Sequence, residues 1–270
     1  MARFPSIYAA GFLFSVLLVG CADIDEEPVP EESNDPLEQE EQEEQEEEQT
    51  AKATTNPWAI EEEHFNVIEE VDGRAVIQNP DNPSVLVNHD YALPEDYTPD
   101  DLVVPDVLFS FDEDVEKRYL RAPAADALED LFAAAEEDGH HLFAVSGYRS
   151  FDRQDAIFTN AATERGEDAA SETIAYPGNS EHQTGLAMDV SSESNSFLLS
   201  EEFGSTPEGE WVEENAHHYG FVIRYPDHKV DITEISYEPW HLRYVGTDIA
   251  EILVEHDLVL EEFFEKAVPM

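Results

Sequence analysis

Cysteine occurs once in 270 residues, at position 21, so no disulfide can form within the chain. Basic residues are also few. Thirteen Lys and Arg stand against 64 Asp and Glu, for a formal net charge of −51. A field of that sign repels nucleic acid and anionic headgroups, so neither is expected as a partner. No apolar run is long enough to cross a bilayer. The longest, Tyr8 to Gly20, falls short of the roughly 20 residues that a helical span needs. The His-Glu-x-x-His pair of many zinc proteases is also missing.

What stands at the front instead is one positive charge, Arg3, then the short apolar run, then Leu18-Val19-Gly20-Cys21. That length suits the apolar region of an export signal. Its last four residues resemble the lipobox of bacterial lipoproteins, which implies that Cys21 is lipidated and becomes the new N-terminus. Between Ala22 and Thr50 the chain holds 15 acidic residues and no Lys or Arg. Such a segment cannot bury enough apolar surface to offset its ordering entropy, and its charges repel one another. The expected organisation is therefore a signal peptide over 1–21, a disordered acidic linker over 22–56 and one domain over 57–270. The protein is expected to be exported and anchored by lipid at Cys21 on the outer face of the cytoplasmic membrane, facing the cell wall, as a monomer.

Within 57–270 the turn cluster Asn79-Pro80-Asp81-Asn82-Pro83 separates Ala75–Gln78 from Ser84–Val87, which suggests a small strand pair. Pro94, Pro99 and Pro105 keep the next stretch extended, as an arm over a core. Leu128, Leu131, Phe132 and Ala135 share a helical face between Pro123 and Asp138, with Gly139 just beyond. His141–Val145 reads as a strand leading into Ser146-Gly147-Tyr148-Arg149-Ser150, and Ser150 is placed to cap a helix that Gly166 ends. Strands follow at Leu186–Val190, Phe221–Tyr225 and Ser236–Val245. A helix opens at Thr206-Pro207, and another is capped by Thr247. These elements alternate without a βαβ rhythm, so the expected fold class is α+β, a largely antiparallel central sheet flanked by helices.

Two segments offer chemistry. Ser180-Glu-His-Gln-Thr-Gly-Leu-Ala-Met-Asp189 carries His182 and Asp189, which can meet on one centre if the chain turns tightly at Gly185. Glu238-Pro-Trp-His241 adds a second histidine and a spare carboxylate. Two histidines and an acid are the three protein ligands of a catalytic zinc site, and a carboxylate that is not a ligand can shuttle the proton of a metal-activated water. Taken singly, each residue has a plainer reading as a hydrogen-bonded core His or a turn-capping Asp. Arg149, at a strand-to-helix junction, could equally pair with a surface acid.

Three ordered motifs, Ser-Gly-Tyr-Arg-Ser over 146–150 with Gln154, the segment 180–189, and Tyr-Glu-Pro-Trp-His-Leu-Arg-Tyr-Val-Gly over 237–246, resemble the VanY-type zinc carboxypeptidases that trim peptidoglycan stem peptides. The likeness runs over about residues 85–255. It implies one Zn2+ on His182, Asp189 and His241, Glu238 as base and then acid, and Arg149 binding substrate oxygen. Ser180 and Gln154 become secondary peptide contacts. His89, where such sequences often carry Lys, and Glu234, where they commonly carry Gly, depart from the pattern. The resemblance implies a D-alanyl-D-alanine carboxypeptidase first and an L,D-carboxypeptidase on tetrapeptide stems second. A noncatalytic zinc-stabilised wall-binding domain is the reading of another class, and it leaves Glu238 and Arg149 without a role. If the front end is read correctly, mass analysis of membrane-extracted protein will find acylated Cys21 at the N-terminus; an unmodified Cys21 would refute the anchor.

Overall fold

The computed structural model describes residues 56–270 except Glu172. The signal segment, Cys21 and the acidic linker up to residue 55 lie outside the described residues. The strands are β1 (Ala59–Ile60), β2 (Ile68–Val71), β3 (Arg74–Ile77), β4 (Tyr91–Ala92), β5 (Leu102–Val103), β6 (Leu120–Arg121), β7 (Phe143–Ser146), β8 (Ala187–Ser191), β9 (Phe221–Tyr225), β10 (Glu238–Tyr244) and β11 (Val268–Pro269). The α-helices are α1 (Ala122–Glu137), α2 (Phe151–Arg165), α3 (Glu167–Ser171), α4 (Pro207–Asn215), α5 (Val230–Thr233), α6 (Thr247–Glu255) and α7 (Leu260–Lys266).

The central sheet has the order β7-β8-β10-β9, and every pairing in it is antiparallel. Side chains alternate across such a sheet. Met188 and Val190 of β8 and Leu242 of β10 enter the main core, where α1 meets them with Ala124, Ala125, Leu128, Leu131 and Ala135. The intervening Asp189, His241 and Arg243 are therefore turned to the other face. They are buried as well, so that face must supply polar partners. Neighbouring Phe221 and Val222 of β9 join different clusters, and Val222 packs with Ile249, Leu253, Leu260 and Phe263 from α6 and α7.

Helix ends follow local chemistry. The Ser150 hydroxyl accepts from the Arg153 amide at 3.3 Å, and Gly166 ends α2 with φ +90°. Thr206 caps α4 in the same way, accepting from the Gly209 amide at 3.0 Å, and Pro207 follows it. Thr247 is the first residue of α6 and makes no side-chain cap, which corrects the role expected for it.

The strand pair expected between 75–78 and 84–87 does not form. β3 pairs with β2 across Asp72-Gly73, whose φ values of +51° and +82° give the left-handed conformation that an Asp-Gly hairpin turn requires. Val85, Leu86 and Val87 are buried without being a strand. Their backbone goes elsewhere, with the Val85 carbonyl accepting from Arg243 at 2.7 Å and the Leu86 carbonyl from Asn66 at 2.7 Å. The proline-rich arm does lie over the motif at 180–189. Gln183 donates to the carbonyls of Pro94 (2.9 Å) and Tyr97 (3.2 Å), and the Leu93 amide to that of Gly178 (2.8 Å).

Gly185 makes the turn between His182 and β8, at φ +67°, and a Cβ there would approach both Arg121 Cγ and Leu102 Cδ2 to 2.9 Å. Gly185→Ala is expected to lower the unfolding free energy by at least about 1–2 kcal/mol, the cost of a left-handed residue that carries a Cβ. Urea denaturation checks this, and an unchanged midpoint would show that the turn adapts freely.

Candidate active site

β8 and β10 are in register such that Asp189 and His241 are direct partners across the sheet. The 3-10 turn Glu181–Thr184 brings His182 to the same point. Asp189 Oδ1 lies 3.1 Å from His241 Nδ1, and Asp189 Oδ2 lies 3.4 Å from His182 Nε2. One ligand atom from each residue falls within 4.8 Å of the others. The imidazoles meet edge to face with centroids 4.9 Å apart. All three residues are 4–5 % exposed.

Each ring nitrogen that faces away from this point has a partner. His182 Nδ1 is 2.8 Å from the carbonyl of Gly147, so it carries a proton there and leaves Nε2 as a donor atom. His241 Nε2 is 3.3 Å from Glu181 Oε2, which leaves Nδ1 facing Asp189. Gly147 has no room for a side chain, since a Cβ would stand 2.5 Å from the Tyr119 carbonyl oxygen and 2.9 Å from Met188 Cε. This close backbone approach is what brings the Gly147 carbonyl to His182.

Two bulges aim the strands that meet here. Ala144 and Ser146 of β7 oppose Val190 and Asp189 of β8, an extra residue on β7. Between Glu238 and Leu242, β10 advances four residues while β9 advances two. Strict alternation would send Glu238 and His241, three apart, to opposite faces. The irregularity keeps them together, with Glu238 Oε2 3.8 Å from His241 Nδ1.

Burial pushes the Glu238 carboxyl up to about 7, reinforced by Asp189 and Glu181 and opposed by His241 and Arg149. Burial would also raise Asp189, but the two histidines outweigh it and hold that carboxyl well below the usual range. Burial lowers His182. It acts the same way on His241, yet the hydrogen bonds to Asp189 and Glu181 prevail and raise that ring to about 10.

Arg149 faces the cleft that these groups line. Its Nη1 donates to Gln154 Oε1 at 2.9 Å and its Nη2 approaches Ser146 Oγ at 3.4 Å. Gln154 in turn donates to the Ala175 carbonyl at 2.7 Å, so both ends of its amide are engaged in the protein. Ser180 is buried in the cleft wall. The cleft holds about 420 Å³, and Leu199, Tyr225 and Trp240 give it apolar surface. The two departures from the family pattern face one another on its rim. His89 Nδ1 is 3.6 Å from Glu234 Oε2, and Glu234 takes the left-handed conformation, φ +58°, that a glycine adopts without strain.

Comparison with known proteins agrees with this geometry. A family model described as "VanY: D-alanyl-D-alanine carboxypeptidase" matches residues 117–247. YodJ of Bacillus subtilis (strain 168) is 58% identical over 209 residues, 77% of either chain. The chain belongs to the VanY family of carboxypeptidases. Among solved structures of the family, the LD-carboxypeptidase LdcB is 57% identical with a TM-score of 0.78, covering 79% of this chain and all of the other. A variant of the vancomycin-resistance D,D-pentapeptidase VanY, solved with Zn(II), is 33% identical with a TM-score of 0.53, covering 67% and 97%. The protein is a carboxypeptidase by this membership.

Two imidazoles and a carboxylate, with the far nitrogens of both rings already partnered, fit zinc as its three protein ligands. Sequence reasoning singled out His182, Asp189, His241, Glu238 and Arg149, which the fold brings to one cleft, but overlooked Glu181, Gly147, Arg224 and Arg243. Glu181 and Gly147 sit inside the quoted motifs and were passed over, because nothing local marks an acid or a glycine as buried. Arg224 at 1% and Arg243 at 0% exposure carried a cue, being cations inside apolar strands.

Metal binding must remove the His241 Nδ1 proton, while Asp189 is already ionised and His182 already neutral near pH 7. Apparent zinc affinity is therefore expected to rise about tenfold per pH unit between about pH 6 and about pH 8. Chelator competition measures this, and a flat profile would contradict the protonation state assigned to His241.

Proposed function

We propose that this chain is a zinc L,D-carboxypeptidase that removes the terminal D-Ala from tetrapeptide stems. The observation that carries the specificity is the 57% identity to LdcB over the whole of that chain, against 33% to the D,D-pentapeptidase. D,D-cleavage of pentapeptide stems is the second reading, favoured by the description of the family model.

His182 Nε2, Asp189 and His241 Nδ1 would hold the zinc, which would supply Lewis-acid polarisation of water and of the scissile carbonyl. Glu238 stands beside that centre without being needed as a ligand. In its ionised form it takes a proton from the attacking water, and it returns that proton to the amide nitrogen as the C–N bond breaks. The products are free D-Ala and a stem shortened by one residue. Burial raises the Glu238 carboxyl, which makes it a better base than an exposed acid and a competent acid for the second step. Arg149 supplies a guanidinium for the terminal carboxylate or the developing oxyanion. Gln154 and Ser146 hold it in place, so Gln154 acts on substrate through Arg149. Ser180 contributes to the wall of the peptide site.

The same reading places the domain outside the cell, tethered through lipidated Cys21 by the acidic linker. At roughly 3.3–3.6 Å per residue at full stretch, nearly thirty residues would reach tens of ångströms into the wall.

Zinc-loaded protein is expected to release D-Ala from tetrapeptide stems, read by product mass. Release from pentapeptide alone would favour the D,D reading, and release from neither would sink the peptidase assignment. Glu238→Ala is expected to keep stoichiometric zinc while turnover falls about 10²- to 10⁴-fold. Near-normal turnover in that variant would show that another group moves the proton.

A further inference from the structure

Behind His241 lies a buried chain of charges that extends beyond the region matched by the family model, residues 117–247. Glu181 Oε1 accepts from Arg224 Nε and from Arg243 Nη1, both at 2.8 Å, while its Oε2 faces His241 Nε2. Arg243 is held from behind by the backbone, donating to the Val85 carbonyl at 2.7 Å. Among the described residues Arg224 has no such backbone support. Its two remaining nitrogens donate to the two oxygens of Glu261 on α7, at 2.9 Å and 2.6 Å. The side chains of Glu181, Arg224 and Arg243 are at most 1 % exposed, and that of Glu261 is 15 % exposed. Glu261 also accepts from Asn88 Nδ2 at 3.2 Å, and Asn88 lines the cleft.

We propose that Glu261 is a positioning residue for the metal site, fixing Arg224 so that Glu181 presents Oε2 to His241 Nε2 and leaves His241 Nδ1 to bind the metal. The argument is geometric. A carboxylate engages the terminal edge of a guanidinium with both oxygens and so fixes the plane of the whole group. Arg224 then has only its Nε to offer Glu181, in one direction. Two donors saturate one oxygen of Glu181, and the other is committed to the histidine. A partner of this kind, donating or accepting behind a metal ligand, sets ring orientation and tautomer. Through Asn88 the same carboxylate joins the cleft wall to this support.

This inference rests on the proposed zinc site, and the experiment separates the two. Zinc affinity of the full chain is measured by chelator competition for wild type, Glu261→Gln, Glu181→Gln and the double variant. The His241 tautomer is read in the zinc-loaded proteins, where the ring has given up its second proton, from long-range proton–nitrogen NMR correlations. Glu261→Gln keeps the shape of the side chain but can accept from only one Arg224 nitrogen without presenting a donor to the other. It is expected to weaken zinc binding by about tenfold or more and to broaden the single His241 tautomer into a mixture. The double variant is expected to lose less than the sum of the single losses, since both act through one chain. A Glu261→Gln protein with lowered melting temperature but wild-type zinc affinity and tautomer would overturn the inference, as would simple additivity. If Glu261→Gln does not fold, Glu261→Asp, one methylene shorter, gives the same comparison. A wild-type protein that binds no zinc would overturn the metal site itself, and this inference with it.

Discussion

The site depends on one piece of strand register, the pairing of Asp189 on β8 with His241 on β10. A slip of one residue in either strand would turn that strand's ligand into the hydrophobic core and bring Met188 or Leu242 to the cleft in its place. Register is fixed from the opposite face, where Met188, Val190 and Leu242 are buried against α1. The apolar packing on one side of the sheet thus positions the polar chemistry on the other. The bulge in β10 then brings Glu238, three residues from His241, to the same side of the sheet.

The scarcity of cations gives this arrangement its electrostatic character. Of 13 Lys and Arg in the chain, Arg149, Arg224 and Arg243 stand around the metal ligands, and the last two are fully enclosed. A buried carboxylate without such partners would be protonated or would unfold its surroundings. With them Glu181 remains an anion, although burial alone would raise its carboxyl. Glu238, which has no arginine in direct contact among its ion pairs, is pushed the other way. Two acids near one histidine thereby differ in protonation, one suited to holding a ligand and the other to moving a proton.

Much of the fold was legible because local rules agreed with the outcome. Ser150 and Gly166 mark the ends of α2, Pro123 stands in the first turn of α1, and Phe221–Tyr225 is a strand as read. Residues 75–78 pair with β2 rather than with 84–87 because Asp72-Gly73 makes the tighter hairpin turn, while the Asn79–Pro83 cluster leads the chain out of the sheet. Val85–Val87 has the composition of a strand, but its carbonyls serve Arg243 and Asn66, contacts made to residues distant in sequence. Helix α7 was not anticipated. It is short, and it contributes the carboxylate that holds Arg224.

By itself the sequence determined the donor types, the family and the order of the three motifs, since these depend on residue identity and on spacing along the chain. Tertiary structure decided which nitrogen of each histidine faces the metal position, that Gln154 is engaged with Arg149, and that Glu181 belongs to the site. Those properties depend on which groups lie behind each side chain. Gly147, Arg224 and Glu261 reach the site from 35 residues before His182, 17 before His241 and 20 after it. No local pattern records such distances, because only the folded sheet brings these residues together.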